Sequence, residues 1–454
     1  MIAFTATLIA GAATLVAAAV APLAAAQAVS ASTSVARART PLPYQSVDPT
    51  VGIVNCASAL CHGSVTPAAK SNVLQTEYVT WSHVDKHARS FLTLGSARSE
   101  SIGRKLGIDD PAQSKLCLDC HSHNVPPARR GDRFRLEDGV SCETCHGPAG
   151  RWLPAHIESG ATHERNVASG LYDVSDPVSR ARLCLSCHFG NADRFVTHRL
   201  MAAGHPRMSF ELDTFTSIEP AHYKPDSDAE KRKRAWDGVR VWAIGQAMAV
   251  GELTAALADP ARVRDGLFPE LVLFDCHACH HPMSDKRWVP RRAGLGPGVV
   301  RLNDSSLLMT RQLAKVIDDG FGARVGQSID RLQQAVAGQG GTPEAAARAV
   351  NAQMEELIGK LQTQAFDAPE LRAVLRGLID DGVHGQYRDY AGAEQATMAI
   401  SSVAKFMHQR GILASATDFN RALAALYGAV ADDERYRPAQ FQAALRNLSG
   451  AAGL

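Results

Sequence analysis

Four Cys-x-x-Cys-His pentapeptides constrain this chain more than any other feature. They are Cys117-Leu118-Asp119-Cys120-His121, Cys142-Glu143-Thr144-Cys145-His146, Cys184-Leu185-Ser186-Cys187-His188 and Cys276-His277-Ala278-Cys279-His280. A widened copy, Cys56-Ala57-Ser58-Ala59-Leu60-Cys61-His62, brings the number of sites to five, and together they use all ten cysteines. Two cysteines this close lie on one side of a single turn, where each sulfur can form a thioether with a vinyl group of one haem; the next residue then points at the iron. The pairs Cys56/Cys61, Cys117/Cys120, Cys142/Cys145, Cys184/Cys187 and Cys276/Cys279 therefore read as attachment sites for five haem c groups, numbered here 1 to 5 in chain order. Their proximal iron ligands are His62, His121, His146, His188 and His280. Zinc ribbons and redox dithiols also use Cys-x-x-Cys pairs, but neither requires a His directly after the second Cys. With 17 His in 454 residues, five such neighbours would arise from composition alone with a chance on the order of 10⁻⁷.

Each iron has a second axial position, and twelve further histidines could fill it: His83, His87, His123, His156, His163, His198, His205, His222, His277, His281, His384 and His408. A residue adjacent to a proximal ligand, such as His281, cannot reach the same iron and could cap only a neighbouring one. His384 and His408 lie outside the haem region and read as ordinary surface histidines. Within the region His87, His156, His198, His205 and His222 are the candidate distal ligands. No catalytic residue is assigned.

Residues 1–26 are apolar and Ala-rich, with Ala24-Ala25-Ala26 before Gln27, as in a secretory signal with a small-residue cleavage site. No Lys or Arg precedes Arg37, so the basic leader is missing, and a retained membrane anchor is the competing reading. Export agrees better with haem c attachment, which takes place outside the cytoplasm, so a periplasmic location is expected and membrane association is not. Residues 27–50, rich in Ser, Ala and Pro, read as a disordered linker. The formal charge of +2 is small. Five haems would add roughly ten propionates against about five positive irons, leaving a mildly acidic protein and arguing against a nucleic-acid partner. The one dense basic run, Lys231-Arg232-Lys233-Arg234, reads as the solvated start of a helix.

Residues 51–295 form the expected pentahaem domain. One haem per roughly 50 residues leaves too little polypeptide for a core around each, so the porphyrins must serve as the core, carried on short helices. A helix over Ala235 to Ala258, with Val239, Trp242, Met248 and Leu253 on its apolar face, is expected to cover them. Residues 296–454 contain no Cys and read as a haem-free α-helical bundle, with helices over Asp304–Asp318, Arg324–Ala337, Pro343–Gln364, Pro369–Asp380, Asp389–Gln409 and Thr417–Val430. In the fifth, Ala393, Ala396, Ile400, Val403 and Met407 recur as one apolar seam. The fold class is thus mostly α: a multihaem cytochrome domain built around stacked haems, followed by a helical bundle.

Trp81-Ser82-His83 with His87, and Gly139-Val140-Ser141 leading into the third motif and on to Gly147-Pro148 and His156, resemble the multihaem cytochrome superfamily that includes the tetrahaem cytochromes accepting electrons from hydroxylamine oxidoreductase. The segment Cys184 to Ala221, with Thr197-His198-Arg199 and Gly204-His205-Pro206-Arg207, resembles a group of exported bacterial multihaem proteins, as does Cys276 to Pro282. The resemblance covers about residues 50 to 300. It implies a mostly helical haem scaffold, bis-His ligation at most haems, electron transfer, and distal roles for His87, His156 and His205. The chain departs from it in having five sites, a widened first motif and a long haem-free tail.

Two functions differ by one open coordination position. With two imidazoles on every iron the protein carries electrons between redox partner proteins. With one iron open it becomes an oxidoreductase acting on nitrite, hydroxylamine or nitric oxide. The surplus of His and the absence of a Cys-x-x-Cys-Lys variant, which marks the catalytic haem of pentahaem nitrite reductases, favour the carrier.

Overall fold

Frequent Gly and Pro, with a hydroxyl or carboxylate residue ahead of most apolar runs, divide the first half of the chain into short capped helices. The computed structural model describes residues 40–69, 71, 73–222, 238–266, 268–281, 294–413 and 417–452. The expected signal peptide, most of the expected linker and the Lys231–Arg234 run lie outside the described residues. The first helices are Glu77–Val84 (α1), Ala97–Leu106 (α2), Lys115–His121 (α3), Cys142–His146 (α4), Trp152–His156 (α5), His163–Ala168 (α6), Pro177–His188 (α7), His198–Ala203 (α8) and Leu212–Ile218 (α9). Ser96, Thr162, Asp176 and Thr197 each accept a backbone N–H of the first turn that follows them, which fixes where α2, α6, α7 and α8 begin. Three attachment motifs close a helix, so that His121, His146 and His188 are the last residues of α3, α4 and α7. Beyond His146 the chain turns away on Gly147, at φ 84°, a conformation that costs glycine little. At site 5 the motif occupies a 3-10 turn, Cys276–Ala278, and at site 1 it follows one, Ile53–Asn55.

This half has only small apolar clusters, such as Ile102, Val196, Leu200 and Ala203. The main core lies elsewhere. Helix α10, Gly238–Ala258, is followed by a two-stranded antiparallel hairpin, Arg264–Asp265 (β1) with Phe268–Pro269 (β2). Then come Ser305–Ile317 (α11), Asp319–Val336 (α12), Pro343–Thr363 (α13), Ala368–Val383 (α14), Tyr390–Gln409 (α15), Thr417–Ala429 (α16) and Pro438–Ala452 (α17). The seam of α15, from Ala393 to Met407, is fully buried. Helix α12 starts five residues earlier than its apolar pattern suggests, because Asp318 accepts the N–H of Phe321 and caps it. Helix α17, absent from the sequence expectation, buries Phe441, Leu445 and Leu448.

One apolar core runs from Val178 of α7 through α10 to Leu448 of α17. Helix α10 packs against α13, α11 and α15 and also against α7 and α9, so residue 295 does not separate two cores. Among the described residues α10 alone is long and apolar enough to cross a membrane, but 67% of its most apolar window is buried, as in the core helix of a folded domain. The expected disorder does not extend over residues 41–50. Leu42 is buried against Tyr172 and Leu183. The Tyr44 hydroxyl and the Gln45 amide both donate to Asp193, at 2.8 and 2.7 Å. Leu42, Tyr44 and Gln45 together dock this stretch.

Candidate haem sites

All ten motif cysteines are free thiols, available for the thioether bonds that haem c attachment would make of them. Each proximal histidine faces one histidine from elsewhere in the chain. The ring centres are 6.0 Å apart for His62 and His156, 6.4 Å for His121 and His205, 6.3 Å for His146 and His222, 6.3 Å for His188 and His87, and 6.4 Å for His280 and His198. Two imidazoles on opposite sides of one metal, each bonded at about 2.0 Å with its ring centre about 1.1 Å further out, have centres about 6.2 Å apart. The spacing thus fits an iron between each pair. The facing residues are the five candidate distal ligands named from the sequence.

Four of the other histidines have partners elsewhere. His163 pairs with Asp173 at 3.1 Å, and His277, His384 and His408 contact the carbonyls of Asp433, Asp380 and Leu413. His83 is exposed. His123 is buried with neither ring nitrogen hydrogen-bonded, and burial pushes its pKa down to about 3, so it is neutral.

Only a neutral imidazole with a free nitrogen lone pair can bind iron. Burial pushes His146 and His188 down to about 4, and it lowers His156 and His205. In several of these histidines Nδ1 is turned toward the protein, which would leave Nε2 for a metal. His205 Nδ1–H donates to the Pro206 carbonyl at 2.8 Å and His222 Nδ1–H to that of Pro220 at 3.4 Å. His121 Nδ1 lies 3.0 Å from the Ser90 carbonyl, whereas His156 Nδ1 faces a donor, the Asn166 Nδ2 amide group, at 3.4 Å. At His62 and His87 the partner is a carboxylate: Glu77 at 3.0 Å and Asp85 at 3.1 Å. Burial alone would raise the Asp85 carboxyl, but its hydrogen bonds from His87 bring it below its usual range, and Asp85 in turn raises His87.

The sites adjoin one another. The thiols of Cys56 and Cys142 are in hydrogen-bond contact, as are those of Cys120 and Cys187, joining site 1 to site 3 and site 2 to site 4. The buried thiol of Cys145 shares its surroundings with Cys184 and Cys187, joining site 3 to site 4. Helix α8 begins with His198, which faces site 5, and is followed by His205, which faces site 2. The pairs thus form a row in the order 1, 3, 4, 2, 5.

Residues 54–147 match the cytochrome c554 and c-prime family. The matched stretch contains the first three attachment motifs and His87. It marks this part of the chain as a c-type cytochrome, which holds haem c covalently and exchanges electrons with redox partner proteins. No curated protein and no solved structure matches the chain.

Three carboxylates in contact with the candidate sites escaped the sequence reading. Asp85, two residues before His87, could have been found, since Asp commonly caps the turn that follows it. Glu77 lies 15 residues from His62 and carries no such signal. Glu143 sits inside the third motif, but nothing in the sequence marks it as buried.

Proposed function

We propose that the protein is an exported, periplasmic electron carrier holding five haem c groups, each with two histidine ligands. The observation that carries this reading is the set of five His–His pairs with ring centres 6.0 to 6.4 Å apart, one for every attachment motif. When bound, each haem supplies a one-electron iron couple whose potential depends on ligands, burial and charge. The chain would hold each group through two sulfurs and two imidazoles, and burial, which lowers His146 and His188 to about 4, keeps these two rings neutral. A continuous row of sites suits conduction. Two imidazoles at every site leave no position for nitrite, hydroxylamine or nitric oxide, which speaks against the oxidoreductase reading. The redox partners are proteins, and the bundle joins the haem-bearing half through α10, which packs against α7 and α9.

Electron paramagnetic resonance of the ferric protein, produced in a host able to attach haem c, tests the proposal when haem is quantified on the same sample. Five haems per chain, all low-spin, is the expected result. A high-spin signal near one haem per chain would overturn the carrier reading, and four haems per chain would mean that the widened first motif is empty.

A further inference from the structure

The ligand histidines differ in what their Nδ1 atoms face. At His121, His205 and His222 the partner is a backbone carbonyl, and at His156 it is a neutral amide. At His62 and His87 it is an ionisable carboxylate, and each carboxylate also accepts backbone N–H groups, two at Glu77 and one at Asp85. Glu77 Oε1 accepts the N–H groups of Leu74 at 2.9 Å and Gln75 at 3.2 Å, leaving Oε2 aimed at His62. Gln75, at φ 62°, is the one non-glycine residue with positive φ among the described residues, so a strained backbone position supplies one of these donors. Asp85 Oδ1 accepts the backbone N–H of His87 at 2.8 Å as well as facing its ring. Glu219 joins Asp85 and His87 in a group whose ligand atoms lie within 4.8 Å of one another, adding a second carboxylate beside site 4.

Resting on the bis-His reading above, we infer that Glu77 and Asp85 are positioning residues that make sites 1 and 4 the two lowest-potential sites of the row. A carboxylate drawing on Nδ1–H gives the ring imidazolate character, and such a ligand stabilises ferric iron more than ferrous. A carbonyl dipole polarises the ring less than a full charge does. The charge itself also favours the more positive oxidation state, and it is weakly screened because Asp85 is 5% exposed and the Glu77 side chain 17%. The two low sites are not adjacent in the row, since site 3 stands between them.

The test is a spectroelectrochemical titration of the haem-loaded protein, with parallel electron paramagnetic resonance, on wild type, Glu77→Gln and Asp85→Asn. Both variants keep size while removing the charge; Asp85→Asn keeps the one oxygen that faces His87, whereas Glu77→Gln has a single oxygen for contacts that Glu77 makes with two. In each, one of the five components should rise by at least a tenfold change in its one-electron equilibrium constant, about 59 mV. That component should be one of the two lowest, a different one in each variant, and the g-spread of one low-spin signal should change with it. Wild-type haem count and low-spin signals report on the carrier reading separately. If those are as expected and neither variant moves a midpoint, the inference is wrong while that reading stands. Should Glu77→Gln lose the site 1 haem, Asn166→Asp decides: a carboxylate at the opposite ligand, His156, should lower the site 1 component, and an unmoved midpoint would overturn the inference.

Discussion

Replacing Glu143 with Gln should loosen the contact between the chain entering site 1 and the motif of site 3. Glu143 is 1% exposed. Its Oε1 accepts the N–H of Ala149 at 2.7 Å and of Val51 at 3.0 Å, and its Oε2 accepts that of Gly52 at 2.8 Å. A Gln side chain offers one oxygen, so two of these contacts survive as neutral hydrogen bonds. The third donor then faces an NH₂ group. Leaving that buried N–H unsatisfied costs about 1–3 kcal/mol, and exchanging charged for neutral hydrogen bonds costs about 1 kcal/mol more. Burial raises the Glu143 carboxyl against the pull of its donors, so part of the charge contribution is already offset. The net expectation is about 2–4 kcal/mol, confined to this junction. Hydrogen exchange measured by mass spectrometry on the haem-loaded protein reads it directly. Peptides containing Val51, Gly52 and Ala149 should exchange roughly 30- to 1,000-fold faster, with α13 to α15 unchanged. A change below about threefold in those peptides would refute the claim that the carboxylate clamps this segment.

Two further outcomes follow from other buried charges. Burial, together with the charge and hydrogen bond of Asp389, pushes the Asp275 carboxyl up to about 8. The folded chain therefore binds a proton more tightly than the unfolded chain, where Asp titrates near 3.9, and this contribution to stability is complete below about pH 4 and lost as pH rises toward 8. Asp275→Asn should flatten the pH dependence of the urea midpoint between pH 5 and about 8 and leave the protein at least as stable at the upper end; an unchanged slope would refute the assignment. Glu394 accepts from Arg207 Nη2 with both oxygens at 3.0 Å and from the Ser209 hydroxyl at 2.6 Å, tying the segment after α8 to α15. Glu394→Ala leaves a guanidinium that is 25% exposed with only the more distant Asp433, 3.8 Å away. It should cost about 2–4 kcal/mol in urea unfolding, and a loss below about 0.5 kcal/mol would show the pair to be solvent-screened.

The attachment chemistry was legible because it is local. Two sulfurs and a histidine within one short motif report a cofactor regardless of what surrounds them, and the family match over residues 54–147 points to covalently held haem c. The bundle was legible for a similar reason, since Ala393, Ala396, Ile400, Val403 and Met407 repeat along one face and all are buried. Phe441, Leu445 and Leu448 of α17 carry the same signal in a shorter helix. The tertiary structure alone decided what is long-range. His87 faces His188, which lies far downstream, whereas His156 faces His62, far upstream, and no spacing rule connects either pair. It also decided that α10 is shared between the haem-bearing half and the bundle, because an apolar helix of that length has no sequence label for the partner it buries against. The Glu77 carboxylate, which faces His62 from 15 residues away, belongs to the same class. A side chain's charge is written in the sequence, but its effect on a distant ring depends on the fold that brings the two to 3.0 Å.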